Sequence, residues 1–329
     1  MVTSCPCPPI RYSTMYIMLS KVEKYFKAGL VATLIALLGA SMALAQTAPP
    51  KANDMSSASA LLEKHANLGG ALASNAFGRP LVIDSVQTSS RVTGNAYAVL
   101  DAPFSLVSSS FKNPQRLCDL IILHINTKYC RPTLDVSPSV LMVNFGKKTA
   151  QALGDTFALE FAMTTSASSA NFSQVQLHAE KGPVGTSNYG IELAAVPLPD
   201  SAGGKTFLHL RYSYGFGLAG RMAMQVYLAT AGSSKVGFTQ IVQADGGQKS
   251  YVGDMRGAVE RNTMRYYLAI DAYLLSLSAP QADQQNLRLE KWFDSTEQYP
   301  VQLRETDKAS YLAMKKDEIK RQQSALPGS

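Results

Sequence analysis

DMRGAVERNTMRYYLAIDAYLLSL, residues 254–277, decides how the rest of the chain is read. Met255, Val259, Tyr266, Ile270, Tyr273, Leu274 and Leu277 fall on one side at helical spacing, and Arg256, Glu260, Arg261 and Arg265 lie elsewhere. The spacing predicts one long amphipathic helix from Asp254 to Leu277. Upstream of it the apolar period changes to two. Strands are expected over Leu81–Ile83, Asn95–Leu100, Val140–Phe145, Phe157–Met163, Phe172–Ala179, Tyr189–Val196 and Thr206–Tyr214. Turn-forming residues separate them, as at Thr88–Ser90, Gly146–Lys148, Lys181–Pro183 and 200–204. Short, closely spaced alternating strands describe an antiparallel meander with one face on a core and one in water. Between the second and third strands lie two short helices. The second is capped by Asn113 with Pro114 in its first turn.

The N-terminal end carries a different signal. Lys21, Lys24 and Lys27 lead into the apolar run Ala28–Leu38, and Ala43-Leu44-Ala45 precedes Gln46 as a small-residue cleavage site. Residues 1–45 read as a secretory signal preceded by an extension, with Met15 or Met18 as the start. Cleavage near Ala45–Gln46 would leave a periplasmic or secreted product with no stable membrane span. Cleavage removes Arg11, Lys21, Lys24, Lys27 and Glu23, so the formal net charge falls from +7 to +4. No Lys/Arg-rich block remains that would mark a nucleic-acid footprint. The 46% apolar content supports a packed core. Residues 46–79 read as a flexible leader with a short helix over Ala60–Ala73, and 281–329 as a polar tail ending in a helix, Tyr311–Gln323. Cys118 and Cys130 are the two cysteines left after cleavage, and in an oxidising compartment they are expected to form one disulfide stapling helix to strand.

The element order is strand, two helices, antiparallel strands and long helix. It is similar to the START-like (SRPBCC) superfamily with its helix-grip fold. GNAYAVLDAPF (94–104), LCDL (117–120) and VERNTMRYY (259–267) resemble stretches of an exported proteobacterial branch of it. The resemblance spans about residues 80 to 280. It implies an α+β fold: a curved antiparallel sheet wrapped around the long C-terminal amphipathic helix, with an apolar cavity between them. Members bind lipids, sterols, polyketides and other hydrophobic molecules, and some are cyclases or hydrolases.

The candidate chemistry is sparse. GFGLAG (215–220) matches a dinucleotide fingerprint, but the strand before it alternates polar with apolar and no further strand–helix units follow. Its glycines therefore read as turn-formers, and no cofactor is expected. His124 has no partner at metal-ligand spacing, so no metal is expected either. No serine sits in a G-x-S-x-G elbow. His178 and His209 read as solvated outer-face residues, as do Glu160, Glu192 and Arg211. Arg261 and Arg265 share a face at i, i+4; they read as solvated surface, or else as the seat of a carboxylate from the tail or a ligand.

The leading expectation is an exported carrier that buries a hydrophobic small molecule, a lipid or isoprenoid for example, between sheet and helix. Its walls would be Phe157, Leu159, Phe161, Leu177, Leu193, Leu208, Leu210 and Tyr212, opposed by Tyr266, Ile270 and Tyr273. One alternative is a cyclase- or hydrolase-like enzyme of the same fold. Another is an envelope interaction module with a filled cavity, whose partner meets Trp292, Phe293, Tyr299 and the terminal helix of the tail. Deleting 281–329 would separate carrier from interaction module.

Overall fold

The computed structural model describes residues 55–133, 138–199, 204–229, 235–242 and 247–324. The signal-peptide reading of residues 1–45 lies outside the described residues. Helix α1 (Ala58–Ala73) starts at Ser57, whose hydroxyl accepts from the Ala60 amide. A hairpin follows, β1 (Leu81–Gln87) and β2 (Arg91–Leu100), then helices α2 (Phe104–Phe111) and α3 (Pro114–Ile121). The Asn113 side chain caps α3 by accepting from the Arg116 amide, as its spacing predicts. Six strands come next: β3 (Thr127–Thr133), β4 (Val140–Phe145), β5 (Phe157–Ser168), β6 (Ser173–Lys181), β7 (Thr186–Leu198) and β8 (Lys205–Phe216). Helix α4 (Leu218–Ala229) and a small ribbon, β9 (Gln240–Val242) with β10 (Lys249–Tyr251), lead into the long helix α5 (Asp254–Ser276). The chain closes with α6 (Gln281–Thr296), α7 (Pro300–Leu303) and α8 (Lys308–Ser324).

The eight long strands form one curved antiparallel sheet in the order β1-β2-β8-β7-β6-β5-β4-β3. Register then assigns the faces. Ala96 pairs with Leu210 and Ala98 with Leu208, and Leu193 of β7 lies opposite Leu210 in turn. These side chains share the inner face, where α5 lies across β1, β2 and β8. The approach is close at Gly94, where a Cβ would run into the Thr263 hydroxyl of α5. The helix-grip arrangement implied by the resemblance is therefore present. Among the described residues, no helix is long and apolar enough to cross a membrane.

Two covers are added to this grip. On the outer face, α1 lays Leu61 and Leu72 on Tyr97, Phe207 and Val196, making a second apolar cluster behind the sheet. On the far side of α5, α6 packs along the long helix while α8 covers α6 and the edge strand β3. An edge strand offers unpaired backbone groups to any passing chain, and here a helix shields it. The disulfide Cys118–Cys130 joins α3 to β3, as expected.

Candidate functional site

The inner face carries most of the expected wall residues. Leu159 and Phe161 of β5, Leu177 of β6, Leu193 of β7 and Leu208, Leu210 and Tyr212 of β8 meet Tyr266, Ile270 and Tyr273 of α5 in one buried cluster. Phe157 does not join them: it opens β5 and is 54% exposed. Its parity is that of Leu159, but it lies beyond the covered core, and alternation alone does not mark where a cover ends.

At one end of the sheet this interior becomes tyrosine-rich. The Tyr189 ring lies 5.3 Å from that of Tyr214 and 6.3 Å from that of Tyr212. Tyr212 approaches Tyr266 of α5 at 5.4 Å, and Tyr266 in turn meets the His124 imidazole at 4.7 Å. Tyr189 shares a 3.0 Å hydrogen bond with Thr186. The hydroxyls of Tyr212, Tyr214 and Tyr266 have none to any described residue, although these residues are only 7%, 3% and 3% exposed. Burial raises the pKa of all three, so they are neutral phenols. None of the three oxygens is among the fully enclosed polar atoms that lack a partner, so each reaches accessible space where water or a bound polar group can meet it. Tyr189 and Tyr214 were missed as site residues. Their signal was parity with Ile191 and Tyr212 in strands already expected.

Helix α4 closes the same end. Met224 packs against the core, while Leu218, Met222 and Val226 at i, i+4 and i+8 point outward with exposures of 76%, 60% and 66%. Gly220 of the GFGLAG stretch lies against the Gly185 carbonyl, where a Cβ would clash. At Gly220 the glycine serves a close chain crossing and not the expected turn, while Gly217 has open space around it.

The outer-face reading holds for His178, which is exposed, and is corrected for His209, which is buried. His209 has the expected strand phase, but α1 lies over this face. Its Nε2 is 3.0 Å from Asn95 Oδ1, and Asn95 Nδ2 donates to Asp84 at 2.7 Å. Since Asn95 Oδ1 can only accept, Nε2 carries the proton. The ring stacks on Tyr97 at 4.6 Å. Burial, then the charges of Arg211 and Lys64, lower its pKa to about 3. His124 is likewise held well below 6.5, by burial and then by Arg265 and Lys315. Both are neutral imidazoles in the fold and take protons once unfolded. Stability is therefore expected to fall as pH drops below 6.5, by up to about 1.4 kcal/mol per pH unit for each ring. Urea midpoints at pH 7 and pH 5 check this, with His209→Gln flattening the trend. A midpoint independent of pH would refute it.

The solvated-surface reading of the α5 charges is also corrected. Glu260 is fully buried and accepts from Ser85 Oγ at 2.5 Å and from the Phe238 and Thr239 amides at 2.6 and 2.9 Å. Arg261 donates to the Val236 carbonyl at 3.1 Å. Arg265 meets Glu305 at 2.7 Å, so the docking carboxylate comes from the tail. Burial alone would raise the pKa of Glu305, but Arg265, Lys148 and Lys235 outweigh it and hold it below the usual value. Trp292, Phe293 and Tyr299 are buried against their own chain: Trp292 Nε1 donates to the Arg265 carbonyl at 3.0 Å and its ring stacks on Tyr311 at 4.9 Å. A partner meeting 281–329 would have to use the exposed sides of α6 and α8. No group of three or more metal-ligating side chains is assembled among the described residues.

No family model matches the sequence, and no curated protein matches it. Among solved structures the chain is similar to a point mutant of Thalictrum flavum norcoclaurine synthase in complex with a transition-state analogue. Identity is 14%, over 45% of this chain and 90% of that one, with a TM-score of 0.32. The di-domain ARO/CYC BexL of the BE-7585A biosynthetic pathway matches at 10% identity, over 61% of this chain and 50% of that one, with a TM-score of 0.30. CalU16 of Micromonospora echinospora matches at 11% identity, over 65% and 96%, with a TM-score of 0.25. The chain's own strand order and registers, and not these distant likenesses, define its fold.

Proposed function

We propose that this helix-grip chain is an exported binding protein that holds a small, mainly apolar molecule without covalent chemistry between its sheet and α5. The carrying observation is the set of three tyrosine hydroxyls, Tyr212, Tyr214 and Tyr266, which sit on largely buried rings, reach accessible space and have no hydrogen-bond partner among the described residues. They border an interior otherwise lined by aliphatic and aromatic side chains, the composition of a site that orients an apolar body by a few polar groups. A lipid, an isoprenoid or an aromatic molecule with one oxygen function meets that description. The outward apolar stripe of α4 at the same end supports traffic of such a molecule. Export rests on the signal pattern of residues 21–45, and the Cys118–Cys130 disulfide supports an oxidising compartment. An enzymatic reading has little to draw on among the described residues: His124 and His209 are neutral and buried, and their ring nitrogens meet the Asn126 amide and the Asn95 side chain.

Native mass spectrometry with organic extraction, on protein purified from the envelope fraction, tests the proposal. A reproducible co-purifying molecule is expected, with occupancy reduced in Tyr212→Phe while the urea midpoint is maintained. An empty protein that also takes up no apolar dye would overturn it.

A further inference from the structure

A concavity of about 660 Å³ lies between α3, the C-terminal half of α5, α6 and α8. Its size is within the range of small-molecule sites. Tyr273 lines it, seven residues or about 10 Å along the helix from Tyr266, so it is distinct from the tyrosine-lined interior. Ile122, Leu123, Leu277 and Ile319 give it an apolar floor. Three arginines face one carboxylate: Arg116, Arg131 and Arg288 against Asp119. Every other polar side chain in the lining is a neutral amide, hydroxyl or disulfide sulfur.

The three arginines are not equivalent. Arg288 is committed: it meets Asp119 at 3.3 Å, donates to Ser276 Oγ at 2.8 Å and to Gln284 at 2.9 Å, and lies 4.5 Å over the Tyr273 ring. Asp119 is shared: Arg288 meets it, Gln115 donates to it at 3.3 Å, and the Arg116 charge acts on it as well. Arg116, one turn before Asp119 on α3, makes no side-chain hydrogen bond to a described residue. The geometry points to a binding site for an amphipathic carboxylate, its apolar body on the floor and its carboxylate on the Arg116 guanidinium. A guanidinium with free donors matches a carboxylate in two-point geometry, and an alcohol of the same length could make only one such contact. The walls are held in place independently of any ligand. The disulfide ties α3 to β3, and Gln322 of α8 accepts from the Cys130 amide at 3.0 Å.

The probes are octanoate and octan-1-ol, titrated calorimetrically into the purified full chain at pH 7. Octanoate is expected to bind with at least tenfold higher affinity than octanol. Arg116→Gln should weaken octanoate binding at least tenfold, leave octanol binding unchanged and leave the urea midpoint where it was. Arg116→Lys should recover part of the loss, since the charge returns without the planar fork. Tyr212→Phe should leave octanoate affinity unaltered. Equal binding of acid and alcohol, or octanoate binding insensitive to Arg116→Gln, would overturn the assignment. Octanoate binding lost in Tyr212→Phe but kept in Arg116→Gln would place the acid in the interior, and would equally overturn the groove while leaving the proposed function standing.

Discussion

Replacing Glu318 by Gln lowers stability by about 3–5 kcal/mol, the cost of stranding buried charge. Glu318 of α8 is 1% exposed and takes two ammonium groups at once, Lys128 of β3 at 2.9 Å and Lys315 of its own helix at 2.8 Å, both fully buried. The remaining donors of the two lysines are met by backbone carbonyls: those of Ile125 and Thr149 for Lys128, and those of His124 and Thr127 for Lys315. One carboxylate therefore offsets two cations. The strain of that arrangement shows in Lys315, whose pKa burial lowers to about 8 against the pull of Glu318. A neutral amide at 318 keeps the shape and removes the only negative charge of the triad. Urea unfolding at pH 7 measures the loss. Converting Lys128 and Lys315 to Met and Glu318 to Leu together should recover most of it, since apolar isosteres of a buried triad are near neutral. A loss below about 1 kcal/mol in the single variant would show that water reaches the triad and that the burial is only nominal.

Deleting residues 281–329 is expected to leave no folded protein at all. The tail contributes Leu289, Trp292, Phe293, Tyr299, Leu303, Tyr311, Met314 and Ile319 to the core, each at most 9% exposed. At about 1.5–3 kcal/mol for each buried side chain, their loss of about 12–24 kcal/mol equals or exceeds the about 5–15 kcal/mol typical of a whole domain. The same cut removes Glu305 from Arg265 and Glu318 from Lys128, so both ion pairs are lost with it. Expression in the insoluble fraction, or a soluble product without near-ultraviolet circular dichroism, is the expected result. A monomer that unfolds cooperatively would refute it. The deletion consequently cannot separate a carrier from an interaction module, because it takes away the fold along with any partner surface. Point changes on exposed positions of α6 or α8 are the usable alternative.

What could be read before any coordinates were those features set by near neighbours in the chain. Period-two alternation placed the strands from Val140 to Tyr214, Asn113-Pro114 placed the start of α3, and the spacing of Val259, Tyr266 and Ile270 placed α5. The faces of β8 were right as well, with Leu208, Leu210 and Tyr212 inward. What stayed hidden was every burial imposed from far along the chain. Lys128 and Glu318 are 190 residues apart, and each alone has the sequence signature of a solvated charge. His209 carries the right phase for water and loses it to α1. Hydropathy reports which side of an element faces a core, but not whether a second element will arrive to cover the other side. The tyrosine cluster was half visible for the same reason: Tyr212 and Tyr266 were expected as walls, and only the packing of the rings brought Tyr189 and Tyr214 to them.

The cover over β3 also sets a timetable. While the chain is being made, Lys128 and the open edge of β3 precede their shield by 190 residues, roughly 10–40 s at ordinary elongation rates. During that interval the growing chain carries a half-built sheet whose edge can pair with a neighbouring nascent chain. Until α8 is made, Glu318 is missing from Lys128 and the β3 edge stays open, so a stop codon ahead of α8 leaves both uncovered. A polypeptide that closes this late also stays threadable for as long as it is being synthesised, which suits a molecule proposed to cross a membrane before it folds.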